Sequence, residues 1–318
     1  MKAVVIGTGY LGRFHAQKYA AMEDVDLVGV VDVDEKRASE VAVETGTRAF
    51  TDFHDIVGEA DVASVVVPTT LHYQVAMELL ANNVHVMLEK PMTTTREEAA
   101  QLIELADKKG LVLQIGHLER YNPAIVTLEE KVRQPLFIEA HRLSGFKPRA
   151  IDVDVVLDLM IHDIDIVLAL VNAPVSEIKA AGVPVLTPRI DIANVRIIFE
   201  NGCTANLTAS RISLKDLRRI RVFQPGCYIS ADCTQRNNLV VTADRFASDI
   251  ASSIVPDLIT HPQVDVLDME LRDFVRVVRA GSRPRVDGTA GLRALSLALD
   301  INESITKSLE SAGISDVL

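Results

Sequence analysis

A two-part α/β fold is predicted, with a doubly wound parallel sheet of Rossmann type first and then an α/β domain on a large, mainly antiparallel open sheet. Three features of the sequence predict it. Strand-like and helix-like runs alternate through residues 1–118, a glycine-rich turn and an acid punctuate the first of these repeats, and beyond residue 175 short strand-like runs follow one another directly. The boundary is expected at 118/119, giving parts 1–118 and 119–318. A chain of 318 residues is long enough for two such domains, each with its own core.

Residues 2–6, KAVVI, read as a buried strand and run into Gly7, Thr8, Gly9, Tyr10, Leu11 and Gly12, after which residues 13–22 read as a helix. A second apolar run, residues 27–31, ends at Asp32. Strand, tight turn, helix and strand in this order form a dinucleotide site. Gly7 permits the turn, Gly9 lets the backbone approach a pyrophosphate, Gly12 lets helix and sheet pack closely, and free helix N-terminal amides face the phosphates. Asp32, about twenty residues beyond Gly12, is placed to hydrogen-bond an adenosine ribose. Its carboxylate repels a 2′-phosphate and so favours NAD over NADP, although Lys36 and Arg37 lie close by, and Arg37 joins the candidate cofactor contacts.

Further along, residues 35–46 read as a helix and 60–67 as a strand, interrupted by Pro68, Thr69 and Thr70 before a helix over 71–82 that carries His72. Residues 84–88 form the next strand, ending at Glu89, Lys90 and Pro91. Thr95 and Glu98 make a capping box for a helix reaching 109, and 111–116 is the last strand of this part. Ligands of open parallel sheets sit beyond the carboxyl ends of the strands, so Pro68, Thr69, Glu89 and Lys90 are candidate pocket residues by position, and His72 joins the candidate cofactor contacts. Pro91 disfavours helical geometry at Lys90 and admits a cis bond between them. A solvated loop lysine is the plain alternative for Lys90, but a charged pair directly after five apolar residues is better placed for function.

In the second part, a helix opens at Asn122 and Pro123, and residues 136–143 read as a strand. A loop with Gly145, Pro148 and Arg149 leads to a helix over 154–171 that is apolar almost all round. Asp158, His162 and Asp165 nevertheless fall at i, i+4 and i+7 on one face. A buried helix does not carry ionisable groups without compensation. With Asp158 one turn away to fix its tautomer, His162 reads as a general base, while Asp163, off the stripe, reads as solvated. Strands are expected over 177–184, 193–200, 203–212, 217–223, 227–231 and 239–243, with a hairpin turn at Asn201 and Gly202. Helices follow over 265–280 and 288–309, and 248–264 is the most loop-like stretch.

Apolar residues at 48% and charged ones at 24% describe a soluble globular protein. A net charge of −11 and a pI near 5.2 argue against nucleic acid or an anionic membrane as partner, so an anionic substrate would need a local arginine cluster. The early glycine motif leaves no space for a leader, and no apolar run is long enough to span a bilayer, so the cytoplasm is the expected location. Cys203, Cys227 and Cys233 form no CxxC pattern, which suits a reducing compartment and gives no metal site.

The glycine turn with His15 after it, Asp32, Pro68 and Thr69 with His72, the Glu89-Lys90-Pro91 tripeptide and the Asp158-xxx-His162 helix together resemble the Gfo/Idh/MocA family of NAD(P)-dependent oxidoreductases acting on sugars and cyclitols. The resemblance spans essentially the whole chain. It implies that Lys90 contacts the reacting oxygen, that His162 transfers the proton with Asp158 beside it, and that the open sheet of the second domain joins subunits into a homodimer or homotetramer. Many members have glycines ahead of the aspartate and between it and the histidine; this chain has Val153-Asp154-Val155 and Met160 there, so the substrate pocket is expected to be shaped differently.

Within the family, residues 116–123 and 152–165 are most similar to the branch that oxidises C3 of UDP-N-acetylglucosamine. Its 3-keto product passes to an aminotransferase that makes the 3-amino sugar of lipid A. That likeness makes Lys90, Asp158, His162, Arg149 and Arg211 the candidate substrate contacts, with the arginines (Arg142 also near them in sequence) available to a diphosphate. The alternatives are an inositol or simple-sugar dehydrogenase of the same family, which needs no arginine cluster, and a non-catalytic NAD-sensing regulator. A regulator would be free to lose Lys90 and His162, and both are present.

Overall fold

The computed structural model describes residues 1–146, 153–244 and 246–313. The N-terminal alternation gives β1 (Lys2–Ile6), α1 (Tyr10–Ala20), β2 (Asp26–Val31), α2 (Glu35–Thr45), β3 (Ala49–Phe50), β4 (Val62–Val65), α3 (Thr69–Ala81), β5 (His85–Glu89), α4 (Arg96–Lys109) and β6 (Leu113–Gly116). The strands are parallel, in the order β3-β2-β1-β4-β5-β6. This is the doubly wound order, with its switch point between β1 and β4. The central strands are buried on both faces, which is why they read as unbroken apolar runs. The Thr95 and Glu98 capping box forms as expected.

The chain then forms α5 (Pro123–Lys131), β7 (Phe137–Leu143), a π-helical turn (Val156–Met160) running into α6 (Ile161–Val171), and β8 (Val175–Val183). Next come β9 (Ile192–Phe199), β10 (Thr204–Ser210), β11 (Leu217–Gln224), β12 (Cys227–Asp232), β13 (Asn237–Thr242), α7 (Ile250–Ser253) and β14 (Val255–Thr260), followed by α8 (Val266–Ala280) and α9 (Gly288–Ser311). The eight strands form one sheet in the order β14-β13-β12-β11-β7-β10-β9-β8. Every pair is antiparallel except β7 with β10, which run parallel in the middle of the sheet. Alternation of buried and half-buried residues, unbroken along β7 and kept along β10 up to its last residue, gives this sheet one packed face. Ile138, Val195, Leu207 and Val222 from that face share a core with Ile164 and Leu168 of α6 and Ile301 and Ile305 of α9.

The chain separates into two compact units, one comprising Met1–Leu118 with Val264–Leu292 and the other Glu119–Gln263 with Arg293–Leu318. Residues 264–292, expected in the second part, therefore join the first. Leu267, Leu271 and Phe274 of α8 pack with Tyr19, Met22 and Val25 beside α1, which an amphipathic pattern cannot foretell because it does not name its partner. The stretch 248–264, expected to be loop, contains α7 and β14. β14 pairs with β13 at the sheet edge and is exposed on both faces, so it has no alternation to read.

Asp163 corrects the sequence reading more sharply. Far from solvated, it is buried, and Arg142 of β7 grips it bidentately, Nε to Oδ2 at 3.1 Å and Nη2 to Oδ1 at 2.8 Å. The same guanidinium donates to Glu119 Oε1 at 2.9 Å, and Arg218 reaches that oxygen at 3.3 Å. Burial alone would weaken the hold of Arg142 on its proton, but the two carboxylates reverse this and raise its pKa. Removing one partner of such a group leaves an uncompensated charge inside, at about 3 to 5 kcal/mol. Arg142→Met should therefore destabilise the second unit by about that amount, seen as a lower urea midpoint by circular dichroism. An unchanged midpoint would mean that the cluster contributes nothing to stability.

Candidate active site

The glycine turn is built by close approach. Gly7 lies at φ +91°, and a Cβ there would stand 2.5 Å from the Val66 carbonyl oxygen. A Cβ at Gly12 would stand 1.8 Å from the Gly7 carbonyl oxygen, so α1 can leave the sheet at this angle only without a side chain at that position. Gly9 differs: a Cβ would meet no protein atom within 4 Å, because the space beside it is open. Gly9 is also the N-cap of α1, no side chain caps the helix, and its first turn has no acid. Its orphan amides and positive end therefore suit an anionic pyrophosphate, and the turn fits a dinucleotide.

Asp32 at the end of β2 is tied back to this turn. Its Oδ2 accepts from the Thr8 amide at 2.8 Å and the Thr8 hydroxyl at 3.0 Å, and Arg37 Nε lies 3.3 Å from it. Oδ1 accepts only the Asp34 amide among the described contacts, at 3.0 Å, which leaves capacity for a ribose hydroxyl. A cleft of about 630 Å³ opens beside these residues. Of the expected cofactor residues Gly7, Gly9, Asp32, Arg37 and Pro68 line it, together with Thr51, Asp52, Phe53, Leu71, Gln74 and Val75, which the sequence did not single out. Those first three follow β3, a strand of two residues that is too short to register as a pattern.

His72, expected among the cofactor contacts, is a brace instead. It is buried, with Nδ1 2.9 Å from the Pro91 carbonyl oxygen and Nε2 2.9 Å from that of Val67, so the ring lies between two backbone carbonyls and, when neutral, donates to one of them. Burial holds its pKa below the ordinary histidine value. It thus fixes the two strand ends that carry Pro68 and Lys90.

The Lys90–Pro91 peptide is cis. Glu89 lies buried beneath it, with Oε2 accepting the Lys90 amide at 3.3 Å and Oε1 lying 3.3 Å from His15 Nε2. His15 Nδ1 is 3.1 Å from the Ser64 hydroxyl, which lies 2.9 Å from the Tyr19 hydroxyl. Burial alone would raise the Glu89 pKa, but His15 and the charge of Lys90 outweigh it and hold the carboxyl below its ordinary range. Lys90 therefore stands on a buried polar chain anchored in α1.

In the second unit, Asp158 sits in the π-helical turn, where the Ile161 amide reaches back five residues to the Val156 carbonyl. Such turns are rare and recur at functional sites. His162, in the first turn of α6, is 9% exposed and Asp158 half-buried, so the helix presents one acid and one imidazole at its accessible end. Asp165, counted in the same stripe, is buried against Arg120 Nη1 at 3.4 Å. Arg211 donates to the Val153 carbonyl at 2.5 Å, with Nε 4.0 Å from Asp191. Its buried guanidinium thus holds the entry to the helix. Arg142 is likewise committed to Asp163 and Glu119. Arg149 lies outside the described residues.

Residues 1–117 match the model of the Gfo/Idh/MocA oxidoreductase family, NAD-binding Rossmann fold, and residues 133–224 match a C-terminal domain of the same family. UDP-N-acetylglucosamine 3-dehydrogenase of Acidithiobacillus ferrooxidans is 39% identical over 313 residues, 98% of this chain and 99% of that protein. The chain belongs to the Gfo/Idh/MocA family. A solved structure of the same Acidithiobacillus enzyme superimposes with a TM-score of 0.90 at 38% identity, covering 96% of this chain and 97% of that one. Myo-inositol 2-dehydrogenase of Thermotoga maritima is 26% identical over 324 residues, 96% of each chain. As a member of this family the protein is an oxidoreductase, and its cofactor is NAD.

Gly9 and Gly12 make separable predictions for this family site. Gly9→Val should leave thermal stability unchanged and weaken NADH binding at least tenfold, because the added side chain enters only the open space beside α1. Gly12→Val should lower the melting temperature as well, since it forces the turn apart. Equal NADH affinity for Gly9→Val and the unaltered protein would place the pyrophosphate elsewhere.

Proposed function

We propose that the protein oxidises C3 of UDP-N-acetylglucosamine to the 3-keto nucleotide sugar. The observation that carries this reading is the end-to-end similarity to an enzyme of that name, in a chain that carries Lys90, Asp158 and His162. NAD, when bound, supplies the hydride acceptor. His162 takes the proton of the C3 hydroxyl as the carbonyl forms, and Asp158, four residues before it, favours the charged imidazolium. Lys90 donates a hydrogen bond to the same oxygen and stabilises negative charge as it develops, the setting in which a fixed cation contributes most. Arg149 is the proposed partner of the diphosphate.

A 3-keto product suits capture by an aminotransferase that makes a 3-amino sugar of the kind used in lipid A. Among the described residues no helix is long and apolar enough to cross a membrane, and we assign the reaction to the cytoplasm. Assembly into a homodimer or homotetramer through the sheet of the second unit belongs to the same reading; the outer face of that sheet carries Phe137, Phe223 and Tyr228, whose ring centroids lie 5.0 to 5.6 Å apart in succession. An inositol or simple-sugar dehydrogenase is the competing reading, favoured by the 26% identical relative.

Nicotinamide absorbance should rise when NAD and UDP-N-acetylglucosamine are mixed with the protein and a keto-trapping aminotransferase or hydrazine, and should not rise with inositol or free glucose. The reverse preference would move the assignment to the competing reading. His162→Ala and Lys90→Ala should each lower turnover about 10² to 10⁴-fold with NADH affinity retained. Arg149→Ala should raise the KM for the nucleotide sugar alone; an unchanged KM would remove it from the diphosphate site.

A further inference from the structure

His54 lies outside the residues assigned to cofactor or substrate, yet its surroundings are unusual. It sits in a short 3₁₀ turn, Phe53–Asp55, that follows β3 and is capped by Asp52. Its Nδ1 is 2.5 Å from Asp52 Oδ1, which also accepts the His54 amide at 3.0 Å, and its Nε2 is 2.6 Å from Glu78 Oε2. The imidazole also stacks on Phe53, ring centroids 4.2 Å apart and planes at 28°. Glu78 belongs to α3, one turn beyond Gln74.

These contacts join two walls of one cleft. Thr51, Asp52 and Phe53 form one wall, and Leu71, Gln74 and Val75 of α3 form the other. Asp32 and Arg37 share the same cleft, which marks this as the end that receives the adenosine half of NAD. We propose that His54 is a positioning residue for the cofactor: by bridging Asp52 and Glu78 it straps the two walls together and sets the affinity for the adenosine half of NAD.

The strap has a chemical condition. A neutral imidazole carries one N–H, so it can donate to one carboxylate only; donating to both requires the imidazolium. The charged groups acting on the ring are Asp52 from the loop and Glu78 from α3, and they raise its pKa above the ordinary histidine value, Asp52 contributing more. A raised value means that the bridge is whole at low pH and is lost as pH rises through it. His54 is exposed, so each contact is worth what a solvent-screened ion pair is worth, and the expected change in affinity is about two- to tenfold.

The test is direct titration of NADH by the change in its own fluorescence on binding, from about pH 6 to about pH 9, on the whole protein. The dissociation constant should rise about two- to tenfold across that range. His54→Gln should show the weaker, high-pH value throughout, and Glu78→Gln should weaken binding at pH 6 from the other wall. A constant that does not change with pH, a pH dependence that His54→Gln leaves intact, or a Glu78→Gln protein that binds as the unaltered one does would each overturn the proposal. Because the readout is binding alone, it is independent of which sugar the enzyme oxidises.

Discussion

No side chain can be placed at Gly7 or Gly12, and the first unit is organised by that restriction. Because β1 passes so close to the strand end at Val66, α1 starts with its amides uncovered and pointing at open space. Because Thr8 is held between the two glycines, its amide and hydroxyl reach Asp32 at the end of the neighbouring strand. Phosphate site and ribose site are thus tied to each other through Thr8. His15, in the second turn of the same helix, links it to Glu89 and so to Lys90.

The second unit solves a different problem, which is how to keep ionisable groups in a helix that is apolar almost all round. It pairs most of them. Asp163 is neutralised by Arg142, Asp165 by Arg120, and the entry to the helix is held by Arg211 through the Val153 carbonyl. Bidentate arginine pairs have the geometry to do this with little freedom left over. Asp158 in the π-helical turn and His162 one step beyond it stand at the start of the same helix.

The sequence disclosed local features and concealed partners. The Rossmann order, the glycine turn, Asp32, the capping box at Thr95 and the antiparallel character of the later strands are all written in short-range patterns that one window of residues can reveal. Asp163 was hidden because its neutrality depends on Arg142, twenty-one residues away, and periodicity says nothing about who sits opposite. His72 and Arg211 were visible as polar residues near a site, but that both meet backbone carbonyls is a fact of three-dimensional geometry. The wall formed by Thr51, Asp52 and Phe53 escaped because β3 is two residues long, and β14 because a strand exposed on both faces carries no alternation.

The return of α8 to the first unit bears on how the molecule is made. All six strands of the parallel sheet are present once Gly116 has been synthesised, yet Leu267, Leu271 and Phe274, which close part of its core, come about 150 residues later. A ribosome extends a chain at about 5 to 20 residues per second, so the apolar surface around Met22 and Val25 waits on the order of ten seconds for its cover. Meanwhile residues 119–263 emerge with all eight strands of their own sheet, while α9, which completes that core, is still to come. The nascent protein therefore passes through an interval in which its nucleotide-binding half is topologically complete but greasy on one side, the interval in which a chaperone has something to hold.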